Sequence, residues 1–502
     1  MKMQQKAAVI GAGFGGLALA IRLQQAGYKT TLFEARDKLG GRAYVYEDKG
    51  YRFDAGPTVI TDPTALEELF TLCGKRMEDY VQLVPVNPFY RLQWRDGSCF
   101  DYVNDQAELE AQIAAFNPDD VKGYHRLHAY AKQTFAEGYV KLAAVPFLDF
   151  RSMLRAGPQL LKLQSWRSVY SMVASFIKDE RLRQAFSFHT LLVGGSPFNT
   201  SSIYTLIHAL EREWGVHFPL GGTGALVEGL GRLFTDMGGT ICLNAKVQEI
   251  SMEDNRATGV TLQNGEAQAF DAVASNADLM HTYGNLLRSH TVGKKQAKRL
   301  DKRRFSMSLF VIYFGVRKSY PDVAHHTVLF GPRYRELVKE IFKGSELPED
   351  FSMYLHNPCV TDTSMAPDGC SSFYVLSPVP HLGNAPIDWE VEGPKYRDRI
   401  LADLDAHYLP GMLDNLETCR IFTPQNFKDE LGAHHGSAFS LEPVLWQSAW
   451  FRAHNRDDQI NNLYMVGAGT HPGAGIPGVV ASAKATAGLM IEDGLRRSRD
   501  AA

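Results

Sequence analysis

Three glycines near the start of the chain have the spacing of a dinucleotide-binding turn. The segment Gly11-Ala12-Gly13-Phe14-Gly15-Gly16 follows a short apolar run, and Glu34 ends the next apolar run. Gly11 allows a tight turn, Gly13 lets the backbone approach a pyrophosphate, and Gly16 lets a helix pack closely on the strand. The helix N-terminus favours phosphate, and the Glu34 carboxylate can accept hydrogen bonds from both ribose hydroxyls. The sequence therefore predicts a dinucleotide site.

A second pair of glycines indicates how long this dinucleotide is. The segment Gly40-Gly41-Arg42 brings backbone close to a ligand, and the planar Arg42 guanidinium suits pyrophosphate oxygens. A simple nicotinamide enzyme does not need a glycine pair and a basic residue at this position, whereas a site that holds a dinucleotide along its whole length does. Because only one complete fingerprint with its acid is present, we do not expect an NAD(P)-linked step.

A third glycine-rich segment lies more than 400 residues further along the chain. The run 462–466 reads as a strand, Gly467–Gly478 as a turn, and Val480–Asp493 as a helix. The N-terminus of that helix carries a positive dipole. Such a dipole stabilises reduced flavin, whose negative charge lies near N1 and the C2 carbonyl. The three segments together predict an FAD site.

The elements that must position these residues come from remote parts of the chain. A glycine-led helix is predicted at 225–237, and strands at 240–243, 247–251, 258–262 and 267–274, with an Asn264-Gly265 hairpin turn between the last two. A further strand is expected at 309–316. The predicted fold is α/β, with a Rossmann-like FAD domain that is discontinuous in sequence.

The chain resembles the amine-oxidase-like FAD flavoproteins, and within them the carotenoid desaturases of the bacterial phytoene desaturase type. Besides the glycine segments, the resemblance rests on residues 40–44, 53–61 and 469–478, and on the middle segments 186–197 and 204–214. The segment 469–478 is typical of the carotenoid desaturase branch. The resemblance covers essentially the whole chain apart from its last few residues.

This resemblance implies a cofactor site and a division into domains. The backbone of Val247 would contact the adenine, and FAD would be non-covalent because 467–478 contains no cysteine. The expected cofactor-binding residues are Gly11, Gly13, Phe14, Gly15, Gly16, Glu34, Gly41, Arg42, Val247, Gly467, Gly469, Gly475, Ile476 and Pro477. The expected domains are an FAD-binding domain (1–75, 216–299, 456–502), an α+β substrate-binding domain (76–130, 300–455) and a helical membrane-associating subdomain (131–215).

The activity that the resemblance implies is conversion of 15-cis-phytoene to lycopene by successive double-bond insertions. Flavin N5 takes one hydrogen as hydride, and the other leaves as a proton, with oxygen or a quinone as final electron acceptor. Allylic C–H bonds do not demand a strong base, so the polar candidates are weak ones: Arg155, His189 and His471. No metal site is expected, because His325-His326 lacks further ligands at suitable spacing.

Other functions stay open at this stage. A C30 diapophytoene desaturase, an isomerase or a ketolase would share these motifs. Amine oxidation is disfavoured because Thr, His and Pro stand near 469–478 where we expect an aromatic cage. A flavin-binding scaffold or prenyl-lipid carrier would bind FAD without turning over a carotenoid.

Composition sets the remaining expectations. The chain of 502 residues exceeds one core and carries a formal charge of −3, so no nucleic-acid partner is implied. Its six scattered cysteines indicate inert thiols in a reducing compartment. The N-terminus reads as mature rather than as a signal peptide, and no run is long enough to span a bilayer. Apolar and basic residues interleave over 145–185, which predicts docking on the inner face of the cell membrane by a cytoplasmic, peripheral enzyme.

Overall fold

The glycine-rich N-terminal turn joins a strand to a helix in the computed structural model, which describes residues 4–148 and 150–500. The strands are β1 (Lys6–Ile10), β2 (Lys29–Phe33), β3 (Val45–Asp48), β4 (Tyr51–Asp54), β5 (Leu83–Val86), β6 (Tyr90–Trp94), β7 (Cys99–Tyr102), β8 (Val216–Pro219), β9 (Thr240–Cys242), β10 (Val247–Glu253), β11 (Arg256–Leu262), β12 (Ala267–Ala269), β13 (Ala272–Ser275), β14 (Ser308–Val316), β15 (His326–Phe330), β16 (Met353–His356), β17 (Ser371–Val379), β18 (Leu416–Phe422) and β19 (Leu463–Met465). The α-helices are α1 (Phe14–Gln25), α2 (Pro63–Thr71), α3 (Gln106–Phe116), α4 (Asp120–Phe135), α5 (Phe150–Lys162), α6 (Val169–Val173), α7 (Glu180–Ala185), α8 (Leu206–Trp214), α9 (Gly222–Asp236), α10 (Leu279–His281), α11 (Thr291–Leu300), α12 (Tyr334–Lys343), α13 (Trp389–His407), α14 (Pro424–Asp429) and α15 (Ile476–Asp500).

A five-stranded parallel sheet carries the glycine-rich turns. Its strand order is β19-β13-β1-β2-β9, and every neighbouring pair is parallel. The strand β1 is a continuous apolar run because α1 and α15 cover the sheet and leave residues 7–10 buried. Strands from three distant parts of the chain therefore form one sheet, and their carboxyl ends lie at one edge.

The hairpin beside this sheet corrects one strand prediction. The strands β10, β11 and β12 form a three-stranded antiparallel sheet, and Gly265 in the β11–β12 turn has a φ of 87°. The single strand predicted at 267–274 is wrong, because β12 pairs with β11 while β13 pairs with β1. The chain changes sheet at Asp271, whose carboxylate accepts a hydrogen bond of 2.7 Å from the Lys6 amide.

A seven-stranded sheet forms the second layer of the molecule. Its order is β18-β14-β17-β16-β15-β6-β7, with antiparallel neighbours except the parallel pair β15 and β6. The strand predicted at 309–316 is confirmed as β14, and all nine of its residues are buried. One face of this sheet covers the site described below.

The helical region between β7 and β8 departs from the sequence expectation. The apolar residues Val169, Met172, Val173 and Ile177 are at most 3% exposed, so the second half of the predicted membrane-docking stretch 145–185 belongs to the core. The exposed apolar side chains lie at 140–166 instead. Among the described residues, no helix is both long and apolar enough to cross a membrane. The domain boundaries given above stay predictions.

Candidate active site

A cavity of about 760 Å³ runs from the glycine-rich turns of the parallel sheet to the seven-stranded sheet. At one end it is lined by residues 10–15, 40–43 and 471–479. At the other end it is lined by side chains of β14, β15, α8 and α12. A nucleotide-type cradle and a deep apolar chamber thus form one continuous space.

The turn between β1 and α1 places the N-terminus of α1 at this cavity. Gly13 is the N-cap of α1 and no side chain caps it among the described residues, so the first turn of the helix can face a ligand. Gly11 has a φ of 92°, which suits glycine. A Cβ on Gly16 would lie 2.0 Å from the Gly11 carbonyl oxygen, so only glycine allows this packing.

Glu34 holds the turn from the end of β2. One carboxylate oxygen accepts the Ala12 amide at 2.8 Å and the other accepts the Arg36 amide at 3.0 Å. The side chain lines the cavity and is only 7% exposed. Each carboxylate oxygen has a second lone-pair site, so Glu34 retains acceptors for ribose hydroxyls.

Arg42 brings positive charge to the same end of the cavity. Its Nε and Nη2 atoms are buried and have no hydrogen-bond partner among the described residues. Burial lowers the pKa of the guanidinium, and the Asp278 carboxylate opposes that shift. A buried guanidinium with unused donors fits the pyrophosphate of a dinucleotide.

The C-terminal loop closes the cavity from the other side. Gly467, Gly473 and Gly475 have positive φ angles, and α15 begins at Ile476. Thr470 and Ser482 hydroxyls lie 2.8 Å apart behind the loop. The loop is therefore held by α15 while its backbone faces the cavity.

The predicted cofactor residues fall into two layers. Those that line the cavity are Gly11, Gly13, Phe14, Gly15, Glu34, Gly41, Arg42, Val247, Gly475, Ile476 and Pro477. Gly16, Gly467 and Gly469 lie behind it: a Cβ on Gly467 would lie 2.5 Å from Asn276 Oδ1, and one on Gly469 would lie 2.6 Å from Leu279 Cγ.

Sequence reasoning missed Asn276, which lies between the two glycine turns. It lines the cavity, and its Nδ2 donates to the Gly11 carbonyl at 3.3 Å. A Cβ on Gly15 would lie 2.7 Å from its Oδ1. Asn276 directly follows β13, and a polar residue at the carboxyl end of a parallel strand was a usable signal.

The apolar chamber is built by side chains of the seven-stranded sheet and the helices packed on it. Three of its hydroxyl groups are paired, since Thr58 Oγ1 lies 2.6 Å from the Tyr374 hydroxyl and 3.1 Å from the Tyr354 hydroxyl. The apolar lining includes Met307, Leu309, Val311, Phe330, Leu337, Val338, Ile341 and Leu376. Such a chamber suits a long hydrocarbon rather than a polar substrate.

The three weak polar candidates have different surroundings. Arg155 is exposed on α5 and does not line the cavity. His189 is 3% exposed, and its Nε2 lies 2.9 Å from Glu211 Oε2, outside hydrogen-bond angles. Glu211, which sequence reasoning missed, is fully buried, lines the cavity and accepts the Tyr90 hydroxyl at 2.7 Å.

His471 is the candidate that faces the cavity. Its Nε2 lies 2.8 Å from the Leu142 carbonyl oxygen, which requires a proton on Nε2. Burial lowers the pKa of His471 to about 4. The ring is therefore neutral at pH 7 with a lone pair on Nδ1, and Nδ1 has no hydrogen-bond partner in the described part of the chain.

The expectation that His325 and His326 lack further ligand-type neighbours is wrong. His356, paired with His326 across β15 and β16, brings three buried rings whose nitrogens lie within 4.8 Å of one another. The Nε2 atoms of His325 and His356 are 3.1 Å apart, and Thr361 Oγ1 lies 2.6 Å from His325 Nδ1. These contacts describe a buried polar cluster, which sequence spacing could not reveal because His356 lies on another strand.

Comparisons with known proteins agree with this geometry. The family model for flavin containing amine oxidoreductases matches residues 14–491. The cyclohexylamine oxidase of Brevibacterium oxydans IH-35A has a similar fold, with a TM-score of 0.63 at 16% identity over 98% of this chain and 100% of that one. The chain belongs to the flavin-containing amine oxidoreductase family.

Closer relatives define the branch. The lycopene-forming phytoene desaturase of Pseudescherichia vulneris is 68% identical over 97% of this chain and 99% of its own length. The lycopene-forming phytoene desaturase of Pantoea ananas is 65% identical over 97% of this chain and 99% of its own. Within the family, the chain therefore lies in the phytoene desaturase branch.

Proposed function

We propose that this enzyme desaturates 15-cis-phytoene with FAD, inserting successive double bonds until lycopene forms. The observation that carries the proposal is the continuity of the cavity, which joins a dinucleotide cradle to a deep apolar chamber. A C40 hydrocarbon offers no polar group for recognition, so shape and burial must hold it. The 63–68% identity to lycopene-forming desaturases supports this substrate and product.

The residues of the cradle divide the work of holding FAD. Glu34 would accept the ribose hydroxyls, while Arg42 and the N-terminus of α1 would bind the pyrophosphate. Bound FAD supplies a two-electron acceptor for hydride. Among the described residues no cysteine lines the cavity, which supports non-covalent binding.

The chamber side chains would hold the polyene and exclude water, while His471 would take the proton. Among the described residues, the Nδ1 lone pair of His471 is an unused acceptor next to the C-terminal glycine loop. A weak base suffices because the departing proton is allylic to the growing polyene. Glu211, which lines the chamber and contacts His189 behind it, would form part of the chamber wall rather than accept the proton.

An exposed apolar surface beside the cavity suits docking on a membrane that contains the substrate. Segments 140–166 and 445–451 meet where the Phe150 and Trp450 rings pack at 5.2 Å, and Leu445 both lines the cavity and is 41% exposed. The exposed apolar side chains are Val140, Val145, Phe150, Leu154, Leu161, Trp166, Leu445, Trp446 and Phe451, called here the apolar rim. Arg151, Arg155 and Lys162 are exposed on α5 and suit anionic lipid.

This surface supports a peripheral location on the inner face of the cell membrane, with oxygen or a quinone reoxidising the flavin. The domain division that fits it keeps the predicted boundaries: FAD binding by 1–75, 216–299 and 456–502, substrate binding by 76–130 and 300–455, and membrane association by 131–215. Within the last part, the exposed apolar side chains of the apolar rim between Val140 and Trp166 are the portion proposed to contact lipid.

The test is expression in a bacterium that accumulates phytoene, followed by the pigment spectrum of the extract. Lycopene's three-banded red spectrum is the expected result. A yellow extract would indicate fewer steps. A colourless extract with FAD-loaded protein would reject phytoene as substrate, and parallel assays with C30 diapophytoene and with cis-carotenoids would then identify a C30 desaturase or an isomerase.

A further inference from the structure

Arg452 is a buried cation directly behind the C-terminal glycine loop. Its Nη2 donates to the Ala468 carbonyl at 2.6 Å and to the Leu441 carbonyl at 3.3 Å. Nε and Nη1 are buried without a hydrogen-bond partner among the described residues, and the residue is 3% exposed. The guanidinium thus keeps donors and charge that the protein itself does not use.

No carboxylate of the described chain forms an ion pair with Arg452. Nearby arginines differ, since Arg304 lies 2.6 Å from Glu442 and Arg456 lies 2.8 Å from Asp493. Burial lowers the pKa of Arg452, and among the described residues the Tyr204 hydroxyl opposes that shift. An uncompensated charge in a protein interior is costly, so a bound anion near the Arg452 guanidinium would be favourable. The described residues provide no such anion.

The position of the guanidinium indicates where that anion would lie. A Cβ on Gly473 would be 3.6 Å from Arg452 Cζ, and Gly473 and Ala468 both line the cavity. The same charge contributes to lowering the pKa of His471. Arg452 and the N-terminus of α15 therefore direct positive potential at the same loop.

We propose that Arg452 is the counter-ion of reduced flavin and raises the reduction potential of the bound FAD. Hydride transfer to N5 adds one hydrogen and two electrons to a neutral ring, which leaves one negative charge near N1 and the C2 carbonyl. Arg452 compensates that charge without gaining or losing a proton. The inference deepens the proposed function but needs only bound FAD, not a carotenoid.

The experiment measures the reduction potential of the FAD bound to each holoenzyme variant, by titration with dithionite against a reference dye. We expect Arg452→Gln to lower the ratio of reduced to oxidised FAD at least tenfold at a given potential, which equals a reduction potential about 30 mV lower for a two-electron couple. Arg452→Lys should retain most of the wild-type potential. An unchanged potential in Arg452→Gln would overturn the proposal.

Two matched variants separate charge from loop support. Arg456→Gln removes a guanidinium that is paired with Asp493, and its potential should equal that of the wild type. Asn455→Ser loosens the loop without changing charge, because Asn455 Nδ2 contacts Ser482 and Thr486 at 3.1 Å. It should weaken both FAD states equally; a potential shift as large as in Arg452→Gln would assign Arg452 to loop support alone.

A wild-type measurement covers the case in which Arg452→Gln does not fold. The absorption spectrum of the reduced holoenzyme distinguishes anionic from neutral reduced flavin. We expect the anionic form to persist well below the pH at which free reduced flavin becomes protonated. A neutral spectrum at that pH would contradict the proposal, whether or not the enzyme acts on phytoene.

Discussion

At the scale of single residues, the site depends on a few positions at which another side chain would clash or would remove an unpaired polar group. A Cβ on Gly16 would meet the Gly11 carbonyl. In the described part of the chain, two buried nitrogens of Arg42 and one of His471 have no hydrogen-bond partner. The sequence named all three: Gly16 from the spacing of the glycine motif, Arg42 from its place beside Gly40-Gly41, and His471 only as a weak candidate within the C-terminal glycine segment. It could not locate Asn276 or Glu211, because their roles arise from contacts with segments 265 and 121 residues away.

The Gly16 contact makes a direct prediction about cofactor loading. Gly16→Ala should abolish FAD binding, because its Cβ would lie 2.0 Å from the Gly11 carbonyl and must displace the turn. The measurement is the flavin-to-protein absorbance ratio after purification. Gly488→Ala in α15 is the matched control, since nothing lies within 4 Å of its Cβ, and it should load FAD normally. Normal loading of Gly16→Ala would contradict the assigned cradle.

His471 makes a prediction about rate and pH. His471→Gln preserves a donor for the Leu142 carbonyl but removes the Nδ1 lone pair, so desaturation should slow by about 10²- to 10⁴-fold with FAD retained. Because the pKa of His471 is about 4, its contribution to the wild-type rate should be constant from about pH 5 to 8. Steady-state rates with phytoene in liposomes test both points, and an unchanged His471→Gln rate removes it as the proton acceptor.

At the scale of elements, local pattern predicted the β–turn–α units well and the sheet changes poorly. The strand β14 and the helix α9 lie within a residue or a few of their predicted bounds. The run 267–274 was split because Asp271 binds the first strand, a contact that alternation of residues does not encode. The stretch 145–185 was divided between surface and core because amphipathic helices look alike whether they face lipid or protein.

The helix α5 makes a prediction about lipid binding. Reversing Arg151, Arg155 and Lys162 to glutamate should weaken binding to anionic liposomes by at least about 100-fold at low salt. Each basic residue near such a surface contributes about 1 kcal/mol, and each glutamate adds repulsion. Co-sedimentation measures it. The matched control reverses Lys294, Lys295 and Lys298 on α11, which are also exposed.

The apolar rim is tested separately. Leu154→Asp with Leu161→Asp should reduce binding to neutral liposomes as well, because both side chains are more than 60% exposed on α5. Leu413→Asp is the control. Leu413 is exposed in the turn before β18, and this variant should bind liposomes as the wild type does. Equal liposome binding by all variants would remove the proposed docking surface.

At the scale of the whole molecule, buried neutral histidines make stability depend on pH. Each histidine of the unfolded chain has a pKa near 6.5, whereas burial lowers that pKa in the folded state. The unfolded state therefore binds more protons on acidification, and the free energy of unfolding falls as the pH falls below about 6.5. The histidines with pKa lowered to about 4 or below are His128, His325, His381 and His471, and those lowered well below the ordinary value are His208, His326 and His356.

Among the described residues, three buried carboxyl groups oppose this effect. Burial raises the pKa of Asp54 to about 6, that of Glu442 to about 7 and that of Asp278 above its ordinary value. All three therefore bind protons first in the folded state and stabilise it as pH falls. The histidines outnumber them, and we expect Tm of the holoenzyme to fall steadily from pH 7 to pH 4.5 at constant ionic strength. His128→Gln should reduce the slope, and a Tm that is flat or rises on acidification would contradict the balance.

The five-stranded sheet has a consequence for synthesis on the ribosome. The strands β1 and β2 leave the ribosome first, but their sheet lacks β19 until residue 465 has been made, and α1 lacks its cover α15 until still later. At ordinary elongation rates that delay is about 20 to 90 s. During it the apolar face of α1 stays open to chaperones, and a chain that stops early cannot complete the sheet. Because the cofactor site needs the complete sheet, protein-bound flavin absorbance in a cell extract should measure full-length chains and not chains that stopped early.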